Sequence, residues 1–176
     1  MDIQAIQQRL AERFGSATSG GNLQALDPWI EVQGRSLSDV CHFLRDEPDL
    51  RFNMLHCISG VDYFEPDAKK AAAVDWTPHL EVIYHLSSLV HRHRLVLKVM
   101  LPRWQGDVEG RLPELPSVSE VWSTANWHER EVFDLMGVFF AGHADLRRIL
   151  LPEDWVGHPL RKDYTAPAEY HGIPGR

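Results

Sequence analysis

The chain has 176 residues, 44% of them hydrophobic and 24% charged, the make-up of one globular domain with room for a sizeable core. Its formal charge of -7, with Lys and Arg scattered among acids, leaves no basic footprint for nucleic acid. No apolar run approaches the ~20 residues needed to span a bilayer, and Met1-Asp2-Ile3-Gln4 lacks the basic-then-apolar order of a signal peptide, so a cytosolic or peripheral protein is expected.

Ile3, Ile6, Leu10 and Phe14 recur at helical spacing and Gly15 follows, which predicts an amphipathic first helix. Ser16 to Asn22 reads as a polar loop, Trp29 to Val32 as a short strand, and Ser36 with Asp39 as the cap of a second helix carrying Leu37, Val40, Cys41 and Leu44, closed by Pro48. Three runs rich in β-branched and aromatic residues follow: Phe52 to Tyr63, His79 to Leu86 and Leu95 to Leu101. The short Ser87-to-Arg94 link makes the last two an antiparallel hairpin, and the Asp67-to-Asp75 insert reads as a mobile loop.

Pro102 to Pro116 is Gly-, Pro- and charge-rich, an ordered surface connector. Ser117-Val118-Ser119-Glu120 has the form of a capping box opening a short helix, and Asn126 with Glu129 repeats that logic for a further helix ended by Gly137. The fold class expected is α+β, a compact helix-on-sheet domain with mostly antiparallel strands over residues 1–142. From 143 to 176 an extended tail is expected. Pro152, Pro159, Pro167 and Pro174 prevent a long helix there, while Leu146, Ile149, Leu150, Leu151, Trp155, Val156, Leu160 and Tyr164 need burial against this domain or a partner.

Cys41 and Cys57 cannot supply the four thiolates of an iron–sulfur cluster or structural zinc site and read as small reduced hydrophobes. His91 and His93 share a strand face, with His85 across the hairpin, but Arg92 and Arg94 would repel a cation, so a solvated hairpin end is expected and no metal site.

The densest chemistry lies in Glu129-Arg130-Glu131-Val132-Phe133-Asp134-Leu135-Met136-Gly137, then His143, then Leu146-Arg147-Arg148-Ile149-Leu150. On a helix Arg130 and Asp134 share one face, while Glu129, Val132, Phe133 and Met136 share another, setting a carboxylate beside an apolar stripe. Three readings are open: Glu129 as a helix cap with the other charges on a solvated face; a carboxylate pair with His143 in acid–base catalysis; or an interface in which these charges pair with another chain.

These residues, followed by Asp154-Trp155-Val156-Gly157-His158-Pro159-Leu160-Arg161-Lys162-Asp163-Tyr164, resemble the signature of the thirty-kilodalton subunit family of respiratory complex I, NADH:quinone oxidoreductase. Leu55-His56-Cys57-Ile58-Ser59-Gly60-Val61-Asp62-Tyr63 and the His79-to-Leu101 hairpin are also similar to that family. The resemblance implies a structural subunit of the cytoplasmic arm, on the cytoplasmic face of the inner membrane, with no active site, cofactor or metal of its own. Flavin and iron–sulfur clusters would sit in partner subunits, and the tail would dock on the quinone-site subunit, supporting electron transfer to quinone coupled to proton translocation. Glu129, Arg130, Glu131 and Asp134 would position the signature helix; His143, Arg147, Arg148, His158, Arg161 and Asp163 would serve docking, the arginines and Asp163 as paired charges; Trp155, Leu160 and Tyr164 would be apolar anchors. A subunit of a membrane-bound hydrogenase-type complex is the near alternative, and a free-standing metal-dependent hydrolase using the histidines with Glu129 and Glu131 is the distant one.

Overall fold

In a computed structural model, which describes residues 2–18 and 20–175, the apolar spacing of the first segment becomes helix α1, Ile3–Phe14, which buries Ile6 and Leu10 and starts at Asp2, whose side chain accepts the Ala5 amide at 2.8 Å. Helix α2, Leu37–Asp46, buries Leu37, Val40, Cys41 and Leu44. The Ser36 side chain makes no capping bond; the chain enters α2 through a tight helical turn, Gly34–Ser36, so the turn performs the task expected of the cap. The segment read as a polar loop after α1 contains a short helical turn, Gly15–Thr18, and an edge strand β1, Gly20–Asn22.

Five strands form one sheet: β1, β2 (Trp29–Glu31), β3 (Met54–Tyr63), β4 (His79–Ser88) and β5 (His93–Leu101), in the order β1-β2-β5-β4-β3. Only β2–β5 is parallel; the other pairs are antiparallel, joined for β4 and β5 by a tight turn. Two-residue alternation sends Leu80, Val82, Tyr84 and Leu86 of β4 and Leu95, Leu97, Val99 and Leu101 of β5 into one core with the α1 and α2 stripes. Each such aliphatic side chain contributes about 1.5–3 kcal/mol by leaving water. The opposite sheet face is mixed, with Lys98 bonded to Glu81 at 3.1 Å. The insert read as a loop contains one short helix, α3, Ala68–Ala71.

The connector ends in β6, Glu114–Pro116, which pairs in parallel with β7, Phe139–Ala141, and buries Leu115 against Phe140 in the core. Between them runs α4, Ala125–Met136. It packs on β3, where a side chain at Gly60 would meet the Met136 side chain at 2.7 Å, so glycine lets helix and strand close up. Gly137 then adopts φ 67, ψ 53, the left-handed turn that ends the helix. Two strands of two residues, β8 (Glu169–Tyr170) and β9 (Ile173–Pro174), form a small hairpin near the C-terminus.

Candidate functional site

The site is built on α4, β3 and the segment that follows β7. Ser117 to Glu120 does not open a helix; it makes turns, with the Val121 and Trp122 amides bonded to the Val118 carbonyl and the Trp122 indole N–H donating to the Phe52 carbonyl at 2.8 Å. Nor do Asn126 and Glu129 cap α4, which already begins at Ala125. Glu129 is fully buried and turns back onto that preceding turn: the Ser117 hydroxyl meets its Oε2 at 2.6 Å and the Val118 amide its Oε1 at 2.7 Å. A capping box would offer this buried carboxyl a single donor, the amide of the cap residue, whereas the preceding turn supplies one donor to each oxygen, so the tertiary contact wins. Burial pushes its pKa up to about 7, against the pull of those two bonds. The neighbouring Tyr84 phenol, buried and without a hydrogen-bond partner among the described residues, is also pushed up by burial and by the proximity of Glu129.

Asp134 is the centre of a second cluster. Its side chain is fully buried, with Oδ1 accepting Arg148 Nη1 at 2.7 Å and Oδ2 accepting the backbone amides of Ile149, Leu150 and Leu151 at 3.0, 2.8 and 3.0 Å. Burial alone would raise its pKa; the Leu151 and Leu150 amides, the Arg148 guanidinium and the Ile149 amide together outweigh it and hold the carboxyl below its ordinary range. Arg148 also donates to the carbonyls of Asp134 and Gly157, and the His158 ring bonds the Asp134 carbonyl through Nδ1 while lying over Gly137, where an added Cβ would sit 2.5 Å from it.

A third cluster holds the next stretch. Arg161, buried, gives its planar fork to the carbonyls of Met136, Arg103 and Gly137 at 2.8, 2.9 and 3.1 Å and stacks on Trp104 at 3.7 Å. Burial and the nearby Arg103 charge bring its pKa down to about 10, so it stays a cation at neutral pH. Arg103 grips Asp62 on β3 through two bonds of 2.8 and 2.9 Å and reaches Asp163 at 2.8 Å, while the Lys162 amide also donates to Asp62. Asp62 and Arg103 were not singled out by the sequence reading. The available signal was an acid inside an apolar strand, which requires a cation somewhere.

The remaining sequence-predicted residues divide. Arg130 is buried but does not pair with Asp134: it donates to the Arg147 carbonyl at 3.3 Å, approaches Asp145 at 3.8 Å and lies over the Trp127 ring. His143 accepts the Asp145 amide on Nδ1 and so donates through Nε2 to the Asn126 carbonyl. Arg147 is exposed and bonds Asp145; Glu131 is exposed at the rim of a groove between β3 and α4. Trp155 and Tyr164 are half-buried and joined by an indole-to-phenol bond of 2.9 Å, but Leu160 is 56% exposed rather than an anchor on this domain. The hairpin histidines are not simply solvated: His91 and His93 bond the Pro48 and Leu50 carbonyls through Nε2 at 2.9 and 2.8 Å. Among the described residues no group of three or more His, Cys, Asp or Glu side chains is placed to hold a metal ion.

Carboxylate, guanidinium and imidazole groups are thus spent on binding an extended segment to its own α+β domain; Leu146 packs against the core, and Leu150, Val156 and Leu160 face outward. The class so defined is an α+β domain that carries an extended C-terminal segment fixed by buried polar contacts. The chain matches the model of the family described as respiratory-chain NADH dehydrogenase, 30 Kd subunit, over residues 30–170, and it belongs to that family. It is 44% identical over 177 residues to an NADH-quinone oxidoreductase subunit of Chlorobium phaeobacteroides, covering 97% of this chain and 96% of that one. Identity to the same NADH-quinone oxidoreductase subunit of Roseiflexus castenholzii is 41% over 169 residues, covering 96% and 87%. Among solved structures, the trypsin-resistant fragment (1-134) of Nqo5 superposes with a TM-score of 0.60 at 27% identity, covering 83% of this chain and all of the fragment. A chain of a membrane-bound sulfane sulfur reductase, an archaeal respiratory membrane complex, shares the fold with a TM-score of 0.68 at 20% identity over 94% of this chain and 86% of that one.

Proposed function

We propose that the chain is a non-catalytic structural subunit of the peripheral arm of an NADH:quinone oxidoreductase. It docks on the quinone-site subunit and keeps cluster-bearing neighbours in register on the cytoplasmic side of the membrane. The carrying observation is the division of labour in residues 143–165. Their polar groups are bonded to α4, β3 and the connector, while Leu150, Val156 and Leu160 stand 60%, 85% and 56% exposed. Exposed apolar side chains on a segment held by the buried Arg148–Asp134 pair and its backbone bonds are preorganised for contact. Electron carriers belong to the partners on this reading; Cys41 is a buried thiol of α2 whose pKa is pushed up by burial, and Cys57 lies on β3.

The fold alone also serves the sulfane sulfur reductase, so a hydrogenase-type complex remains the competing assembly; the 44% and 41% identities to NADH-quinone oxidoreductase subunits favour the first. Truncation at residue 143 would strip Asp134 of Arg148 and three amides, so point substitutions are the sharper test. The tagged chain and its Val156→Asp/Leu160→Asp variant are to be purified from gently solubilised native membranes. Recovery of NADH:quinone activity with the wild type, and its loss with a variant that folds normally, is expected. Recovery of a hydrogenase, or equal recovery with both proteins, overturns the proposal.

A further inference from the structure

The β4–β5 hairpin ends in a feature that the signature does not use. Leu89 and Val90 at its tip are 63% and 52% exposed, and Met54, on the neighbouring edge strand, is 39% exposed. Around them Arg51, Arg92 and Arg94 are exposed, and none of the three side chains has a hydrogen-bond or ion-pair partner among the described residues. In a chain of formal charge -7, three free guanidiniums beside an apolar tip are a local inversion of charge.

The tip is also rigidly presented. The Leu89 amide donates to Asn53 Oδ1 at 3.0 Å, the Arg92 amide to the Ser88 carbonyl at 2.8 Å, and the His93 ring packs at a tilt against Phe52, 4.6 Å between centroids. Arg51 and Arg92 are two of the four non-glycine residues described with positive φ, at 42° and 56°. Such backbone is held only where the surroundings enforce it.

The register carries the surface back from the tip. Met54, Ser87 and Arg94 lie side by side across β3, β4 and β5, and beyond them Cys57, His85 and Val96 form the next matching row. A cavity of about 280 Å³ opens there, walled by Arg94 and His56, with Asp27 as its one acidic lining residue.

We infer that this hairpin end is an interaction surface for an extended acidic segment of a neighbouring subunit, with an apolar side chain entering the cavity and flanking carboxylates pairing with Arg51, Arg92 and Arg94. Charge complementarity selects the acid, since a guanidinium fork matches a carboxylate bidentately. The layout selects a polypeptide over a bilayer: a flat membrane meeting the tip would reach Leu89, Val90 and Arg92 but not the cavity one row back along the sheet.

The inference rests on the assembly reading, and the test separates the two. Photoreactive benzoylphenylalanine replaces Val90 in one full-length chain and Val156 in another, each is expressed in the native cells, and cross-linked peptides from the purified membranes are sequenced. The expected result at position 90 is a cross-link to an Asp/Glu-rich stretch of another subunit of the complex, reduced roughly tenfold or more by Arg92→Glu/Arg94→Glu. Cross-linking at 156 but not at 90, cross-linking at 90 only to lipid or to a second copy of this chain, or a yield unchanged by charge reversal overturns the inference and leaves the assembly reading standing. The absence of a cross-link to any other subunit from either position overturns both.

Discussion

Glu129→Gln gives the sharpest test of the buried site, because it removes an ionisation while keeping the shape. The Glu129 carboxyl, pushed up to about 7 by burial from an ordinary value near 4.5, binds its proton more tightly folded than unfolded. Between those two values the unfolded chain has lost the proton and the folded chain still holds it, so stability falls as pH rises, and the full cost is present above the folded pKa. The gap between about 7 and 4.5, at ~1.4 kcal/mol per pH unit, amounts to on the order of 3 kcal/mol. Glutamine escapes that cost. Its carbonyl can accept the Val118 amide, and its NH₂ can donate to the Ser117 hydroxyl, which is free to rotate. Urea unfolding of both proteins at pH 5 and pH 8, followed by tryptophan fluorescence, isolates the residue, since groups titrating alike in both proteins, such as His93 and His158, cancel in the difference. The variant is expected to gain ~2–3 kcal/mol on the wild type between the two pH values. A difference that stays flat, or moves in favour of the wild type at pH 8, refutes the argument that burial dominates at this carboxyl.

Three further outcomes follow from the same contacts. Asp134→Asn leaves Arg148 without its counter-charge and sets an NH₂ group among donors, a loss of ~3–5 kcal/mol. Because the Asp134 pKa is depressed in the fold, that stability is present above the ordinary carboxylate range and lost as pH falls through the folded value, so acid titrations of the two proteins should converge. Arg161→Lys cannot reproduce a planar fork on three carbonyls and should cost ~2–4 kcal/mol, read as a lowered melting temperature. Asp62→Asn, which keeps an acceptor but removes the charge facing Arg103, should cost ~1–3 kcal/mol in urea unfolding; no measurable loss would mean that the Asp62–Arg103 pair adds nothing over a neutral bond.

Periodicity made most of the scaffold legible. The α1 and α2 stripes, the three long strands and the β4–β5 hairpin each repeat at the period of their own element, and burial of those stripes decides the structure. What misled were cap patterns. Ser117 with Glu120, and Asn126 with Glu129, have the right local spacing, yet a cap bond stabilises by only ~1 kcal/mol, and a buried carboxyl gains more from one donor to each oxygen than from a single cap amide. The carboxyl therefore takes Ser117 and Val118 from the residues that would have nucleated the first of those helices. Asp62 with Arg103 was illegible for another reason: the partners are 41 residues apart, and no local rule couples a strand acid to a connector arginine.

The signature was legible as a dense mixture of charge and apolar residues, but the local pairing suggested by its spacing does not form. Arg130 and Asp134 stand four apart on α4 and take different partners, Asp134 reaching fourteen to seventeen residues ahead to Arg148, Ile149, Leu150 and Leu151. This has a physical logic. An i,i+4 pair on an exposed helix is worth a few tenths of a kcal/mol, whereas a buried carboxylate saturated by four donors costs several kcal/mol to break. Charges used that way fix the path of a proline-rich segment with no regular structure between Ala141 and Glu169; Leu146 packs against the core while Leu150, Val156 and Leu160 stay exposed. The buried acids of α4 and β3 hold this irregular backbone in place, with Leu150, Val156 and Leu160 at its surface.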